Sequence, residues 1–352
     1  MPTLAFKSFS PAEGGLSLPD TSMPWLADAL DSARAAGEIA RNITLRDGEP
    51  LQGVEVFTAK LIRHKSGRRC LIEYDVGITA RGKTCRQTLI GKSRSRGLDR
   101  RTFELARELY RSGFDDCSPD GISIPEPVGV VPRFEMWLSR KVDGVSGAEV
   151  ISGPRGSWVA TRIAAVASKI HRVMLPTVVH HTVERELEIL GARLEDVQAR
   201  HPQWASRLTA LMCRCEEIGT AMGGRPVTGI HRDFYPDQLL FGPQRVHVVD
   251  FDLYSRGDPA LDIGNVLAHL TEQALRTAGR STALDEMRQA LLAQYVEIAG
   301  ASHLQAIRAY ELFSLCRHVA ISEALPARSH MTAEILGLCE EYAAALQRGD
   351  QS

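Results

Sequence analysis

The sequence contains no Cys-x-x-Cys pair. Its seven cysteines, Cys70, Cys85, Cys117, Cys213, Cys215, Cys316 and Cys339, are odd in number and scattered. That pattern fits neither a zinc site nor a disulfide framework, and it points to a reducing cytoplasm. Cys213 and Cys215 stand two apart on a stretch that reads helical, so they point to different faces. No run approaches the roughly 18 apolar residues of a membrane-spanning helix. The first residues lack a basic segment followed by an apolar core, so no secretory signal is expected. An excess of one charge is also missing: 42 Lys and Arg stand against 43 Asp and Glu, for a formal net charge of -1. This removes the global basic field that nucleic acid or an anionic membrane would call for. There is no internal repeat and no low-complexity tract. What remains is a chain of 352 residues, 44% hydrophobic and 24% charged. This is an ordinary globular composition, with enough chain for about two domains.

The hydrophobic pattern changes twice along the chain. Residues 1–50 mix a Gly/Pro/Ser-containing lead with an amphipathic helix over 23–43, on which Trp25, Leu26, Ala29, Leu30 and Ala33 recur. This reads as an N-terminal extension capping a small β-rich unit. Alternation and β-branched residues then predict strands at 54–63, 70–78 and 84–91, joined by turn-type linkers at 64–69 and 79–83. A helix comes next around Phe103 to Tyr110, and apolar segments at 128–131 and 134–139 run into Arg140-Lys141-Val142-Asp143-Gly144. Beyond residue 153, helical periodicity predicts helices at 158–174, 183–200, 204–222, 283–298, 304–323 and 332–346. The expectation is an α+β fold. After the extension, 51–144 form a small unit around an antiparallel β-sheet, and 145–352 form a mainly helical one.

One segment carries chemistry. It reads His231-Arg232-Asp233, Gln238 five residues later, and then the strand-like run 246–249 ending in Asp250-Phe251-Asp252. Gly257-Asp258-Pro259 and Asp262 complete it. Phosphoryl transfer needs a carboxylate to orient a hydroxyl nucleophile and accept its proton, and it needs metal ions held by oxygen ligands to neutralise the phosphates. Asp233 fits the first role, and Asp250 with Gln238 the second. A lone His-x-Asp would be uninformative.

At these residues the chain resembles the aminoglycoside phosphotransferase and choline kinase-like family, whose members share a protein-kinase-like two-lobe fold. That family commonly carries His-Gly-Asp and a later Asn where this sequence has His231-Arg232-Asp233 and Gln238. A glutamine offers the same amide oxygen on a longer stem. The resemblance implies ATP and Mg2+ as cofactors. It makes Lys92, at the end of the third strand, the lysine that binds the nucleotide phosphates, and Glu104 its partner, with Glu108 as the competitor. It also implies that Lys92, Asp233 and Asp250 gather around one triphosphate. Adenine is expected near Ser139, Lys141 and Val142, bound through backbone groups. No Gly-rich phosphate loop lies between the first two strands; the basic run 65–69 either covers the phosphates or is a solvated turn.

His231 is expected to bond backbone, Arg232 to make a local salt bridge, and Asp262 to brace the catalytic loop. Asp258 reads as a turn or helix-start residue, and Asp252 either as a metal ligand or as a loop cap. His247 and His269 read as satisfied structural groups. Three functions are considered, in order: an ATP-dependent kinase acting on a small-molecule hydroxyl, a catalytically silent pseudokinase or scaffold, and a nucleotidyl transferase. A polycationic aminoglycoside acceptor would want an acidic pocket, for which Glu272, Asp285, Glu286 and Glu311 are available among Arg276 and Arg280. A sugar, polyol or other neutral metabolite is at least as compatible, and amino alcohols belong to the same range of acceptors. No nucleic-acid or membrane partner is expected.

Overall fold

The computed structural model describes residues 20–44, 51–151, 153, 156–177 and 179–349. The chain divides into two compact units, Met1–Asp143 and Gly144–Ser352. Residues 1–19 and 45–50 of the expected extension lie outside the described residues.

The first unit opens with helices α1 (Leu26–Leu30) and α2 (Ser32–Asn42). They occupy the stretch where the sequence predicted one helix. Asp31 separates them: its backbone is extended, and its carboxylate accepts a hydrogen bond from the Arg34 amide at 2.9 Å. Apolar periodicity does not register such a cap, since the cap interrupts the backbone without interrupting the stripe. Strands β1 (Gly53–Lys65), β2 (Arg69–Ala80) and β3 (Lys83–Arg94) form an antiparallel meander. All three run past their predicted ends because the turns are tight. Arg81 and Gly82 both have positive φ, 48° and 68°. This is the two-residue turn that suits a twisted hairpin, and it lets Ala80 pair with Lys83.

Helix α3 (Arg100–Arg111), a short strand β4 (Ile122–Ser123) and strands β5 (Pro127–Val131) and β6 (Met136–Arg140) come next. The sheet order is β1-β2-β3-β6-β5. Side chains alternate across its pleat. Cys70, Ile72, Tyr74 and Val76 of β2 join Leu26, Ala29, Ala35 and Ile39 in one buried cluster. The Tyr74 hydroxyl donates to the Ala29 carbonyl at 3.0 Å. On the other face, Leu71 and Glu73 stand opposite Lys92 and Ile90.

The second unit is mainly helical. It contains α4 (Gly147–Val150), α5 (Gly156–Arg172), α6 (Val183–Arg200), α7 (Ala205–Ala221), α8 (Ala260–Ala278), α9 (Asp285–Ala299), α10 (Leu304–Ala324) and α11 (Thr332–Arg348). Six of these lie on the predicted helices. Helix α8 was not predicted; it is buried on nearly every side, and its buried residues include the polar Asp262, Asn265, Thr271, Glu272 and Gln273, which an apolar pattern does not mark. Its neighbour is α10, and Gly264 marks the approach: a Cβ there would stand 2.5 Å from the Glu311 amide nitrogen and 2.7 Å from the Tyr310 carbonyl carbon.

Two small sheets complete the unit. Strand β10 (Leu239–Phe241) pairs antiparallel with β11 (Val246–Val248) and β7 (Val145–Ser146). Strand β12 (Ser255–Gly257) lies between β8 (His180–His181), to which it is parallel, and β9 (Thr228–Ile230), to which it is antiparallel. Among the described residues, no helix is long and apolar enough to cross a membrane.

Candidate active site

Strand β9 ends at Ile230, and the loop carrying His231, Arg232 and Asp233 begins there. Asp262, in the first turn of α8, is fully buried and holds this loop by its backbone. One carboxylate oxygen accepts from the His231 amide at 2.8 Å, and the other from the Arg232 amide at 2.7 Å. His171 lies 3.0 Å from the first oxygen, and its other ring nitrogen lies 2.9 Å from the Tyr295 hydroxyl. Further along the loop, the Asn265 amide donates to the Phe234 carbonyl at 2.9 Å. The His231 ring nitrogen Nε2 lies 3.0 Å from the Val249 carbonyl oxygen, so this histidine is spent on backbone one residue before Asp250. Asp258 caps the start of α8, accepting from the Ala260 amide at 3.0 Å, and also pairs with Arg225 at 2.9 Å.

Arg232 departs from its predicted role. Its φ is 71°, in the left-handed region where a side chain is strained. This is the position at which the resembling family commonly carries glycine, and the backbone shows why glycine suits it. Among the described residues, no carboxylate lies within ion-pairing distance of the Arg232 guanidinium, and burial pushes that group below its ordinary value.

The same loop brings Gln238 to Asp233. The Gln238 amide donates to Asp233 Oδ2 at 3.4 Å, and its backbone carbonyl accepts from the Val249 amide at 3.0 Å. Asp250 comes next at φ 63°, a left-handed turn that ends the strand. Burial pushes the Asp233 carboxyl above the ordinary aspartate range. The Asp250 charge adds to this, while His231, Arg317 and the Gln238 hydrogen bond act in the opposite sense. Among the described residues, no group of three or more His, Cys, Asp or Glu is gathered as a metal site. What the loop offers is one carboxylate and one amide oxygen. That donor set suits a hard cation that completes its shell with water and phosphate oxygens.

In the first unit, Lys92 is half-buried on β3 opposite Trp137 of β6. Glu104 does not hold it. Both Glu104 oxygens bond Arg107 Nη1, at 3.1 and 3.0 Å, and Glu108 bonds Arg111 at 3.2 Å. On an exposed helix face, an arginine one turn along is the nearest cation, and it captures each glutamate. Ser139 is buried, with its backbone in register with Ile90. The Lys141 amide donates to the Thr88 carbonyl at 2.8 Å, and the Lys141 ammonium donates to Glu73 at 2.6 Å. Val142 is half-buried, one residue before the unit ends.

Asp233 also lines a cavity of about 340 Å³ that lies wholly within the second unit. Five arginines line it: Arg193, Arg232, Arg276, Arg317 and Arg328. Of the predicted acidic set only Glu272 reaches it, and Glu272 already pairs with Arg276 at 3.0 Å and Arg328 at 3.3 Å. Asp285 and Glu311 are bonded instead to Arg288. His269 lines the cavity wall. It stacks on Tyr235 at 4.4 Å and meets the edge of His318 at 4.4 Å. His318 is 1% exposed, and neither of its ring nitrogens has a hydrogen-bond partner among the described residues. Burial and the charges of Arg317, Arg328 and Arg276 push it down to about 3, so it is neutral. Sequence reasoning missed His318, Arg193, Arg317 and Arg328, because they come from three separate segments and no spacing links them.

Comparison with known proteins extends this picture. The model of the phosphotransferase enzyme family (APH) matches residues 96–311. No curated protein matches the sequence significantly. Among solved structures, a choline kinase from Cryptosporidium parvum Iowa II is similar at 12% identity and a TM-score of 0.59, covering 91% of this chain and 97% of that one. A choline/ethanolamine kinase family protein from Mesorhizobium loti is similar at 13% identity and a TM-score of 0.53, covering 83% of this chain and 92% of the other. A glucosamine kinase is similar at 13% identity and a TM-score of 0.50, with 83% and 94% covered. At these identities the structural likeness establishes the fold, which is protein-kinase-like. Taken with the family match across more than half of its length, it means that this chain belongs to the phosphotransferase enzyme family.

Proposed function

We propose that the protein is an ATP-dependent kinase that moves the γ-phosphoryl group to a hydroxyl of a small molecule, the class that includes sugars, amino alcohols and aminoglycosides. The observation that carries this reading is Asp233. It is set at a cavity wall on a loop whose backbone Asp262 clamps, with Gln238 bonded to it and Asp250 acting on its charge. Burial makes Asp233 a stronger base than an exposed aspartate, which suits taking a proton from an alcohol as the reaction proceeds. The acceptor oxygen forms its bond to the γ-phosphorus as the bond to the β–γ bridging oxygen breaks. ADP leaves, and the hydroxyl proton passes to the Asp233 carboxylate.

On this reading Asp250 and the Gln238 amide oxygen hold Mg2+, which when bound neutralises phosphate charge. Lys92 orients the phosphates, and the backbone around Ser139, Lys141 and Val142 receives the adenine. Glu104, bonded to Arg107, is left out of the set. The seven free cysteines agree with a reducing cytoplasmic setting, where ATP is abundant.

The test is ATP consumption by purified protein across a panel of hydroxylated compounds, with mass detection of the phosphorylated product. Asp233→Asn and Asp250→Asn are expected to lower kcat by about a thousandfold or more, the scale of removing a catalytic group. Turnover that survives both substitutions would refute the reading. Nucleotide binding without turnover on any acceptor would point to the silent scaffold.

A further inference from the structure

The second-unit cavity carries information about the acceptor. Its charged lining consists of five arginines and three carboxylates, Asp233, Asp237 and Glu272. The carboxylates are already engaged. Glu272 lies between Arg276 and Arg328, Asp237 accepts from the Ser146 hydroxyl, and Asp233 is the proposed proton acceptor. The arginines are not matched to the same degree. Arg317 is bonded to Glu186 at 3.1 Å and to the Asn265 amide oxygen. Among the described residues, neither Arg193 nor Arg232 is in a carboxylate ion pair, although the Glu186 and Asp233 charges act on Arg232; Arg193 is exposed and Arg232 is half-buried.

A partly desolvated guanidinium that makes no direct ion pair is costly, and a bound anion would relieve that cost. His318 is the second, independent sign. It is a buried imidazole in the cavity wall with two unpartnered nitrogens, and buried polar atoms that lack protein partners mark a place where a ligand or water completes the bonding. Being neutral, it offers one donor and one acceptor. The volume, about 340 Å³, is near the small end of ligand pockets, which run from roughly 300 to 1,000 Å³.

We propose that the acceptor is a small hydroxylated anion, a metabolite bearing a carboxylate or phosphate group, which Arg232 and Arg193 bind by its charge while His318 hydrogen-bonds it beside Asp233. This rests on the phosphotransferase reading and narrows it. Choline-like and aminoglycoside cations are disfavoured, since they would set like charges against the arginines.

The experiment has two arms. In the first, kcat/KM is measured with ATP for hydroxy acids and sugar acids, sugar phosphates, neutral sugars, and cationic amino alcohols and aminoglycosides. The anionic compounds are expected to exceed neutral and cationic ones of similar size by at least about a hundredfold, which is the scale of a charge-assisted bidentate contact. The carboxylate and phosphate arms show which anion the site takes. Arg232→Gln and Arg193→Gln are expected to raise KM for the anionic acceptor about tenfold or more, with a smaller change in kcat. Arg232→Lys should recover part of the loss, since it restores the charge without the fork.

In the second arm, thermal stabilisation of the full chain by inorganic phosphate and by gluconate, without nucleotide, is compared between the parent and Arg232→Gln. Stabilisation that disappears in the variant supports the anion site even if no acceptor turns over, in which case the kinase reading alone fails. Efficient turnover of neutral or cationic acceptors in preference to anions would overturn the proposal while leaving the kinase reading intact. The absence of both anion turnover and Arg232-dependent stabilisation would also overturn it.

Discussion

Replacing Asp262 by asparagine keeps the shape of the side chain and removes its ability to accept at both ends. Its two oxygens receive the His231 and Arg232 amides at 2.8 and 2.7 Å in a fully buried setting. Hydrogen bonds to a charged acceptor of this kind contribute roughly 1.5–3 kcal/mol each, and an orphaned buried N–H costs about 1–3 kcal/mol. Asparagine has one carbonyl oxygen, so at least one amide must face an NH2 group. The net loss is about 3 kcal/mol. For a domain of this size, that lowers the thermal midpoint by roughly 6–12 °C.

The consequence for catalysis comes from the same bonds. Arg232 sits at φ 71° because Asp262 and the strand ends over-determine it. If the clamp is loosened the loop relaxes, and Asp233 moves with it. A displacement of about 1 Å at a reacting group costs on the order of a hundredfold in kcat. Adding Arg232→Gly to Asp262→Asn should return about 1 kcal/mol by relieving the left-handed strain, without restoring kcat. The assays are thermal unfolding by circular dichroism and steady-state kinetics on the folded fraction. An Asp262→Asn variant that melts within about 2 °C of the parent and keeps its kcat would refute the argument that these two bonds hold the loop.

Gly264→Ala places a Cβ 2.5 Å from the α10 backbone, so it should destabilise by about 1–3 kcal/mol through overpacking, read as a lower urea midpoint with an unchanged m-value. The acid limb of the kcat/KM profile should lie above the ordinary aspartate range, because Asp233 must be deprotonated to act and burial raises its folded value. A limb at the usual carboxylate position would contradict that role. For stability, the native state binds this proton more tightly than the unfolded chain, so the burial penalty is fully present above the folded value and absent below the unfolded value of 3.8. Asp233→Asn should therefore melt higher than the parent at neutral pH, and melting curves recorded toward pH 4 should show the gap closing.

The sequence made the strand meander, six of the helices of the second unit and the chemistry-bearing loop legible, because each depends on local periodicity or fixed spacing. Helix α8 was hidden because polar residues, Asp262, Asn265, Thr271, Glu272 and Gln273, stand among its buried positions and break the apolar pattern. The break at Asp31 was hidden because a cap alters the backbone without altering the apolar stripe. Glu104 was misread because spacing gives the reach of a side chain but not its competitors, and Arg107 is closer at hand. The cavity was the least legible feature. His318 and Arg193 stand 125 residues apart in the chain, and only the packing of α6 and α10 makes them neighbours of one space.

Helices α1 and α2 lie outside the residues that match the family, and they bury the side of the sheet carrying Ile72, Tyr74 and Val76. An expression fragment trimmed at residue 51 would open that greasy surface to water, where it invites self-association and precipitation. Any engineered boundary should therefore keep these helices, since the sheet would otherwise lose its lid.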